Sequence, residues 1–434
     1  MTAMTSKLMP VEDYGLQLER CARCSFCKWV PQPQVRNWRF APVCPSIGKY
    51  NFHAYCAGGR VIMAFGLAKD QLSITDSFAE IVYKCQMCGA CDVSCKTIMS
   101  GMLEPLDIMQ ALRIRLVEEG EGLPEHLPAI EGLRQEDNML QRPKAERGNW
   151  AEGLDVKDLT KETAEVVYHA GCRLSFDEEM AAEARAGVSL LKAAGVDVGI
   201  MGMEEACCGV RAYEMGYLGE LVKYAEHNKE LFKKAGVKTV VTPCAECYQA
   251  FKVIYPKTGL EMDVEVLHMT EYLDRLIKQG DLKLTKKLPM RVTYHDPCHL
   301  CRLADPFVAW EGVETKVLGQ LTITEPERPI RFGTKGTFSE PRNVLNSIPG
   351  VELVEMERTK EYAWCCGAGG GVIDAYPDFA HWTALERIEE AKTTGADALV
   401  TACPWCERNF NDAINGSGEG IKVQSIVELV LQAL

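Results

Sequence analysis

The cysteines of this chain are its most informative residues, because most of them fall into regularly spaced sets. WCCGAGGG (residues 364–371) and ACCG (residues 206–209) both place two adjacent cysteines before a glycine. Three further cysteines accompany each pair, and together they form two sets of five thiols. The first set is Cys172, Cys207, Cys208, Cys244 and Cys247, and the second is Cys298, Cys365, Cys366, Cys403 and Cys406.

Five thiols in one set predict an unusually large metal cluster. A zinc ion or a simple [4Fe–4S] cube takes only four thiolates. Adjacent cysteines of a strand would point to opposite faces, so both can reach one site only where the chain turns, as a following glycine allows. The glycines of GAGGG (residues 367–371) would also let backbone N–H groups approach an anionic cluster. A phosphate loop is disfavoured, because no Lys-Ser or Lys-Thr follows.

Two more cysteine sets lie near the N-terminus. CQMCGACDVSC has the C-x2-C-x2-C-x3-C spacing of bacterial [4Fe–4S] ferredoxins, in which the fourth cysteine ligates the other cluster. We therefore expect crossed ligation of two cubane clusters, with Cys56 as a substitute for Cys44, which follows an unusually long loop. One cluster would take Cys21, Cys24, Cys27 and Cys95, and the other Cys85, Cys88, Cys91 and Cys44. Zinc is the alternative, but it prefers paired C-x2-C knuckles. Two neighbouring cubes indicate electron transfer.

The segments that carry the five-thiol sets are duplicated. EVVYHAGC (residues 165–172) corresponds to RVTYHDPC (residues 291–298), and AGVKTVVTPCAECYQAF (residues 235–251) corresponds to TGADALVTACPWCERNF (residues 394–410). Both copies also end in a strand-like run that leads into an amphipathic helix. Internal repetition of this kind indicates duplicated modules.

Strand and helix patterns alternate within each copy, which predicts α/β units with a mainly parallel sheet. In the first copy we expect helices over residues 178–194 and 218–235, and strands over residues 196–201 and 237–242. The cysteines follow the strands, and ligands in such folds bind at the carboxyl ends of strands. Each set of five should therefore gather at one rim of its sheet.

The composition is that of an ordinary globular protein without affinity for polyanions. The 434 residues carry a net charge of −13, which makes nucleic acid or an anionic membrane surface an unexpected partner. No apolar run approaches the length of a membrane helix, and the first residues lack the pattern of a signal peptide. We expect a cytoplasmic protein, where thiols stay reduced. The charged, cysteine-free segment 117–163 reads as a surface linker pinned by Trp150.

With these motifs, residues 164–434 resemble two CCG (cysteine-rich) domains of the heterodisulfide reductase family. YHDPCH, WCCGAGGG and EPRNVLNSIPGVELVEM are all similar to sequences of that family. A ferredoxin module ahead of two CCG domains resembles its D-type subunit, and is similar to the sulfite-reduction complex K subunit and to the D subunit of class II benzoyl-CoA reductase complexes. The resemblance implies that each set of five cysteines binds a noncubane [4Fe–4S] cluster and acts in catalysis.

The resulting fold hypothesis is a mostly helical ferredoxin-like domain followed by duplicated Rossmann-like CCG domains with parallel sheets. We predict a ferredoxin-like domain over residues 1–116, a linker over 117–163, and CCG domains over 164–285 and 286–434. The second copy departs from the first because 66 residues separate Cys298 from Cys365, against 34 between Cys172 and Cys207. The excess, near residues 307–339, is long enough to be functional or an interaction surface.

Three single residues near the five-thiol sets carry weaker expectations. Cys301 lies three residues after Cys298, and we expect an inert or supporting role rather than a ligand. His169 and His295 each lie three residues before the first cysteine of a set. A structural histidine is the plainer interpretation, and a hydrogen-bond donor or proton carrier beside the cluster is the alternative.

Two functions fit these features. The first is an oxidoreductase subunit of an anaerobic complex that passes electrons between cubane and noncubane clusters and reduces a disulfide, since two clusters can each receive one thiolate. The second is a pure electron relay that feeds a partner such as a benzoyl-CoA reductase-type complex. Flavin- or iron–sulfur-containing subunits are the expected partners. A structural zinc protein is disfavoured by the five-thiol pattern.

Overall fold

The computed structural model describes residues 8–418 and 420–434. It confirms the predicted fold class, with a helical N-terminal region followed by two parallel α/β sheets. Among the described residues, no helix combines the length and the apolar character that crossing a bilayer requires.

Six helices, joined by short 3₁₀ turns, form the N-terminal region. They are α1 (Gly15–Arg20), α2 (Pro45–Tyr50), α3 (Ala57–Ala68), α4 (Asp76–Tyr83), α5 (Ala90–Met99) and α6 (Pro105–Glu118). Helices α3 and α6 pack together and bury Val61, Ala64, Ile108 and Leu112. This apolar core is small, as is usual where bound metal contributes to stability.

The middle segment, residues 117–163, packs more closely against the rest of the protein than a surface linker would. It forms helix α7 (Leu127–Glu136) and strand β1 (Lys157–Asp158), and β1 joins the edge of the first sheet. Trp150 is buried with its ring centroid 5.9 Å from that of Tyr168. The apolar residues spaced between the charges explain this packing. The domain boundaries proposed above stay a prediction.

The first sheet has five parallel strands in the order β1–β3–β2–β4–β5. The strands that follow β1 are β2 (Val166–Tyr168), β3 (Val198–Ile200), β4 (Thr239–Thr242) and β5 (Glu265–His268). The helices are α8 (Gly171–Phe176), α9 (Ala181–Ala193), α10 (Val210–Glu214), α11 (Leu218–Ala235), α12 (Ala245–Gln249), α13 (Tyr255–Lys257) and α14 (Met269–Gln279), with a π-helical turn, Ala250–Ile254, between α12 and α13. Strands β2 and β4 are buried along their whole length, as expected when helices cover both faces.

The second sheet repeats this topology. Its parallel strands lie in the order β11–β10–β6–β9, so both copies place their strands in the order 2-1-3-4 when each copy is counted from its own first strand. The strands of this half, including two outside the sheet, are β6 (Met290–His295), β7 (Val313–Val317), β8 (Leu321–Glu325), β9 (Val351–Leu353), β10 (Ala398–Thr401) and β11 (Lys422–Ser425). The helices are α15 (Ser339–Ser347), α16 (Val372–Ala375), α17 (Pro377–Lys392), α18 (Pro404–Ser417) and α19 (Ile426–Ala433). In such a sheet, ligands bind where the strand order reverses, between a copy's first and third strands.

The insertion of the second copy contains an antiparallel hairpin that the sequence analysis did not identify. Strands β7 and β8 pair from Val313 opposite Glu325 to Val317 opposite Leu321. The hairpin is largely exposed, and Leu318 at its turn is 95% exposed. The apolar–polar alternation of VETKV and LTITE was the available signal.

The glycine run after Cys366 lies directly against the N-terminal region. A Cβ atom on Gly369 would lie 2.7 Å from the Gln86 carbonyl oxygen, and one on Gly370 would lie 2.6 Å from the Cys85 carbonyl oxygen. Side chains would prevent this approach of two backbones. The second copy therefore contacts the N-terminal region through bare main chain.

Arg113 joins three regions of the fold. Its side chain is fully buried on α6. The guanidinium donates to the carbonyl oxygens of Cys85 at 2.6 Å, Glu214 at 2.7 Å and Gly370 at 2.7 Å. One side chain thus ties the N-terminal region to both copies of the repeat.

Candidate functional site

The first set of five cysteines is brought together at the carboxyl ends of β2, β3 and β4. All five are buried. Their side chains interact in one continuous row, in the order Cys172, Cys207, Cys208, Cys247 and Cys244. The neighbouring Cys207 and Cys247 thiols lower the pKa of Cys208 to about 6, because they donate hydrogen bonds that stabilise the thiolate.

The second set is arranged in the same way. Its buried thiols interact in the order Cys298, Cys365, Cys366, Cys406 and Cys403. The Cys365 and Cys406 side chains lower the pKa of Cys366 well below its ordinary value. The two copies therefore build equivalent sites from equivalent positions.

A turn and a backbone donor follow each Cys-Cys pair. Gly209 and Gly367 have φ values of 75° and 99°, in the left-handed region that favours glycine. The backbone N–H of Gly209 donates to the Cys207 sulfur at 3.4 Å, and that of Gly367 donates to the Cys365 sulfur at 3.3 Å. Each glycine thus turns the chain and gives one sulfur a stabilising donor.

The N-terminal cysteines meet in the crossed arrangement that the sequence analysis expected. Cys44 lies beside Cys85 and Cys88, and together with Cys91 they line one small cavity. Cys95 lies apart from this cavity, near Cys21 and Cys24. The roles of these residues as ligands stay a prediction.

Cys56 does not lie with the group that contains Cys44. Its side chain interacts with that of Cys27, and its sulfur accepts the backbone N–H of Gly59 at 3.4 Å. It was considered as a substitute for Cys44, but the chain places it beside the other group, because it precedes α3 while Cys44 precedes α2. Cys56 is therefore an additional thiol beside the first N-terminal group.

Interactions between neighbouring thiols join three of the four cysteine groups into a row. Cys88 interacts with Cys365, which connects an N-terminal group to the second five-thiol site. Cys403 interacts with Cys244, which connects the second five-thiol site to the first. The first five-thiol site therefore lies at the far end of the row from the N-terminal region.

The cysteine sulfur atoms of the four groups are suitable ligands for iron–sulfur clusters. Each group offers several sulfur ligands, eighteen of the twenty cysteines are buried, and cationic side chains offset the charge that thiolates bring. The Arg147 guanidinium donates to the Cys172 sulfur at 3.6 Å. Arg302 is buried near Cys88, Cys298 and Cys365, and its guanidinium donates to backbone carbonyl groups. Buried thiolates with such donors are the usual ligands of iron–sulfur clusters.

Several of the supporting residues could not be recognised in the sequence. Arg147 lies in the charged segment that the sequence analysis interpreted as solvated, yet it is buried and pairs with Glu205 at 3.1 Å. Glu205 also accepts the backbone N–H groups of Ala170 and Gly171 at 3.1 Å and 3.0 Å, just before Cys172. The only signal for Glu205 was its place two residues before the Cys-Cys pair.

His299 connects the second site to the first copy. Its Nδ1 lies 3.3 Å from the Cys298 sulfur, and its Nε2 lies 2.8 Å from the Glu214 carboxylate. That carboxylate also accepts the backbone N–H of Gly370 at 2.9 Å. Cys301, by contrast, donates its S–H to the Thr337 carbonyl oxygen at 3.3 Å, in keeping with a supporting role.

The two strand-end histidines differ in their surroundings. His169 is buried between Phe232 and Phe251 with its Nδ1 3.6 Å from the Glu205 carboxylate, and neither ring nitrogen makes a hydrogen bond among the described residues. The ligand atoms of His295, Cys366 and Cys406, however, all lie within 4.8 Å of one another. The structural interpretation therefore suits His169, while His295 faces the sulfur atoms of its site.

Replacing His295 with leucine is expected to weaken metal retention at the second five-thiol site about tenfold, because polar groups beside metal ligands typically contribute that much. The measurement is the rate of iron loss from anaerobic protein challenged with a chelator. His169→Leu is the matched control and should leave the rate unchanged, because that ring makes no hydrogen bond to a described residue. Equal rates for the two variants would contradict a role for His295.

Comparisons with known protein families agree with this arrangement. Residues 17–98 match the 4Fe–4S dicluster domain family. Residues 166–252 and residues 331–411 match the cysteine-rich (CCG) domain family. The second of these matches begins inside the insertion and leaves out β6 and Cys298.

Individual relatives share most of the chain. The D subunit of the dihydromethanophenazine:CoB–CoM heterodisulfide reductase of Methanosarcina mazei is 34% identical over 96% of this chain and 94% of its own length. The B subunit of the fumarate reductase (CoM/CoB) of Methanothermobacter marburgensis is 30% identical over 81% of this chain and 61% of its own. The EtfAB:quinone oxidoreductase of Syntrophomonas wolfei is 26% identical over 98% of this chain and 60% of its own.

These matches confirm the resemblance that the cysteine motifs indicated, and they confirm iron–sulfur clusters as the cofactors. They extend over the N-terminal region and both copies of the repeat, so the resemblance is not limited to one module. The chain is an iron–sulfur oxidoreductase subunit with an electron-transfer role, and it belongs to the family of heterodisulfide reductase D subunits.

Proposed function

We propose that this subunit passes electrons from two cubane [4Fe–4S] sites to two noncubane [4Fe–4S] sites and reduces a disulfide there, within an anaerobic complex whose other subunits contain flavin or iron–sulfur centres. The observation that carries the proposal is the row of thiol contacts, Cys88 to Cys365 and Cys403 to Cys244. Thiols of neighbouring groups that interact with each other place those groups within reach of electron transfer. The disulfide named for the relative, CoB–CoM, is the first substrate to test.

Each of the four cysteine groups would hold one cluster. The cubane ligands would be Cys21, Cys24, Cys27 and Cys95 in one group and Cys44, Cys85, Cys88 and Cys91 in the other. The noncubane ligands would be Cys172, Cys207, Cys208, Cys244 and Cys247 in the first copy and Cys298, Cys365, Cys366, Cys403 and Cys406 in the second. When bound, such clusters supply one-electron chemistry and iron atoms that accept thiolates.

The cysteine groups differ in their exposure to solvent and in the charged residues beside them. Of the twenty cysteines, Cys24 is exposed and Cys21 is half-buried, while the other eighteen are buried. The N-terminal group of Cys21, Cys24, Cys27 and Cys95, which adjoins the row where Cys27 lies near Cys91, is thus open to partners, and the five-thiol sites are shielded from water. The Arg147 guanidinium offsets thiolate charge beside Cys172. The two ring nitrogens of His299 bridge the Cys298 sulfur and the Glu214 carboxylate.

The same burial favours a second candidate function. All ten thiols of the two five-thiol sites are at most 8% exposed, so a disulfide would need an opening between the copies to reach them. A subunit that only relays electrons to a partner reductase, such as a benzoyl-CoA reductase-type complex, needs no such opening. The two functions therefore differ in whether a small disulfide reacts with the isolated subunit.

The deciding experiment is an iron and sulfide count on anaerobically purified protein, with EPR during a redox titration. The proposal expects about 16 iron atoms per chain and signals unlike those of ordinary cubes. CoB–CoM disulfide should then reoxidise the reduced protein. About eight iron atoms with only cubane signals would exclude disulfide reduction and leave the relay. Zinc in place of iron would contradict both functions.

A further inference from the structure

The segment that surrounds the exposed N-terminal thiols is unusually basic for this chain. Residues 20–69 contain eight Lys and Arg residues and no Asp or Glu. The whole chain has 61 acidic residues among 434, so about seven would be expected in a stretch of this length. Positive charge is therefore concentrated at the one place where the cysteine groups reach the surface.

Five of these cations are exposed or half-buried and pair with no described carboxylate, and four of the five fall within residues 20–36. Arg20, Arg23 and Arg36 are exposed and Lys28 is half-buried, and the structure shows no ion pair between any of them and a described carboxylate. We call these four residues the basic face. They are close to the exposed thiol in sequence as well, since Arg23 precedes Cys24 directly.

The other four cations of the segment are engaged elsewhere, and among them the Lys49 Nζ lies 5.2 Å from the centroid of the Trp382 ring. Arg39 pairs with Glu386 at 2.7 Å, and Lys69 lies 3.7 Å from Glu19. Arg60 is buried and donates to backbone carbonyl groups. The contrast shows that the fold can supply partners for cations in this region, and that it leaves the basic face without them.

Aromatic side chains lie exposed along the same segment. Trp38 is 75% exposed, Phe52 is 63% exposed and Trp29 is 42% exposed. Large aromatic residues and arginine are the side chains most enriched where one protein binds another. The exposed side chains of the segment that contains Cys24 therefore have the composition of a protein interface with a positive potential.

We propose that the basic face is the docking site for a small acidic protein that carries one electron at a time, such as a ferredoxin, and that it delivers electrons beside Cys24. The inference rests on the proposed electron-transfer function and names the partner of that function. In each encounter the carrier is oxidised by one electron and this chain is reduced by one electron. Because the rest of the chain is acidic, an acidic carrier is repelled elsewhere and attracted here, which steers it to the exposed thiols.

The test is binding of an acidic [4Fe–4S] ferredoxin to the iron-loaded protein, by calorimetry at low and at moderate ionic strength. The variant Arg20→Glu/Lys28→Glu/Arg36→Glu should bind at least about tenfold more weakly than the native chain and lose most of the salt dependence. The control is Lys234→Glu/Lys283→Glu/Lys286→Glu. It changes the net charge equally at exposed lysines on the α/β half of the chain, and it should retain native binding.

A second variant guards against damage to the cysteine groups. Arg36 lies eight residues from the nearest cysteine, so Arg36→Glu alone should keep the full iron content and still weaken binding. Unchanged affinity and salt dependence in both basic-face variants would overturn the proposal. Binding to phosphatidylglycerol vesicles that the same variants abolish, without any effect on ferredoxin, would overturn it in favour of a membrane surface.

Reduction rates separate this inference from the proposed function. Dithionite is small and needs no docking site, so it should reduce native protein and variants equally, while reduced ferredoxin should reduce the basic-face variants more slowly. If dithionite does not reduce the five-thiol sites, the proposed function fails whatever the binding result. If dithionite reduces them and ferredoxin reduces native and variant protein at the same rate, only the docking site fails.

Discussion

Replacing Cys366 with serine should remove about four iron atoms per chain and also prevent fast reduction of the first five-thiol site, which retains all its cysteines. The reason is the order of thiol contacts. Cys88 of the N-terminal region interacts with Cys365 of the second site, and among the described residues the thiols of the first site interact with those of another group only through Cys244 and Cys403. Anaerobic stopped-flow reduction, with EPR of frozen samples, measures both effects.

Cys208→Ser is the matched control, because Cys208 occupies the equivalent position in the first copy. It should also remove about four iron atoms, but the second site should still be reduced at the native rate. The two variants therefore have equal iron contents and unequal kinetics. Native reduction of the first site in Cys366→Ser would show that electrons reach it by another route.

Replacing Arg113 with methionine should lower the free energy of unfolding by about 4 kcal/mol. The guanidinium donates to the carbonyl oxygens of Cys85, Glu214 and Gly370, and all three would be left buried without this donor. The loss is large because the unsatisfied carbonyl groups lie where the N-terminal region meets both copies. Anaerobic guanidinium denaturation followed by circular dichroism measures it.

Arg115→Met provides the control on the same helix. Arg115 is half-exposed and pairs with Glu12 and Glu119 at the surface, so its loss should cost about 0.5 kcal/mol or less. A similar small cost for Arg113→Met would mean that water or a shift of the backbone satisfies the three carbonyl groups.

The duplicated half of the fold was predictable because its signals are local and occur twice. The helix expected over residues 218–235 is α11, and the strand expected over residues 237–242 contains β4. The repeat placed the five-thiol sets after corresponding strands, and the structure brings each set together. A pattern that recurs in register is hard to produce by anything other than a repeated supersecondary unit.

The contacts between regions were not predictable in the same way. Arg147 and Arg113 acquire their roles from groups far away in sequence, and nothing in their neighbours distinguishes them from solvated arginines. Cys56, a possible substitute for Cys44 by its place in the sequence, lies instead beside Cys27, because α2 separates it from Cys44. Such assignments depend on tertiary geometry, which periodicity does not encode.

The close backbone approach at Gly369 and Gly370 breaks the symmetry that duplication would otherwise leave. Counted from the Cys-Cys-Gly turns, the first copy has Arg211 and Ala212 at these two positions. A side chain there would collide with the carbonyl groups of Gln86 and Cys85, so the Cys85–Gln86 backbone can approach only the second copy this closely. Two glycines are thus enough to make the two copies of the repeat inequivalent, with the second copy next to the N-terminal cysteines and the first farther from them.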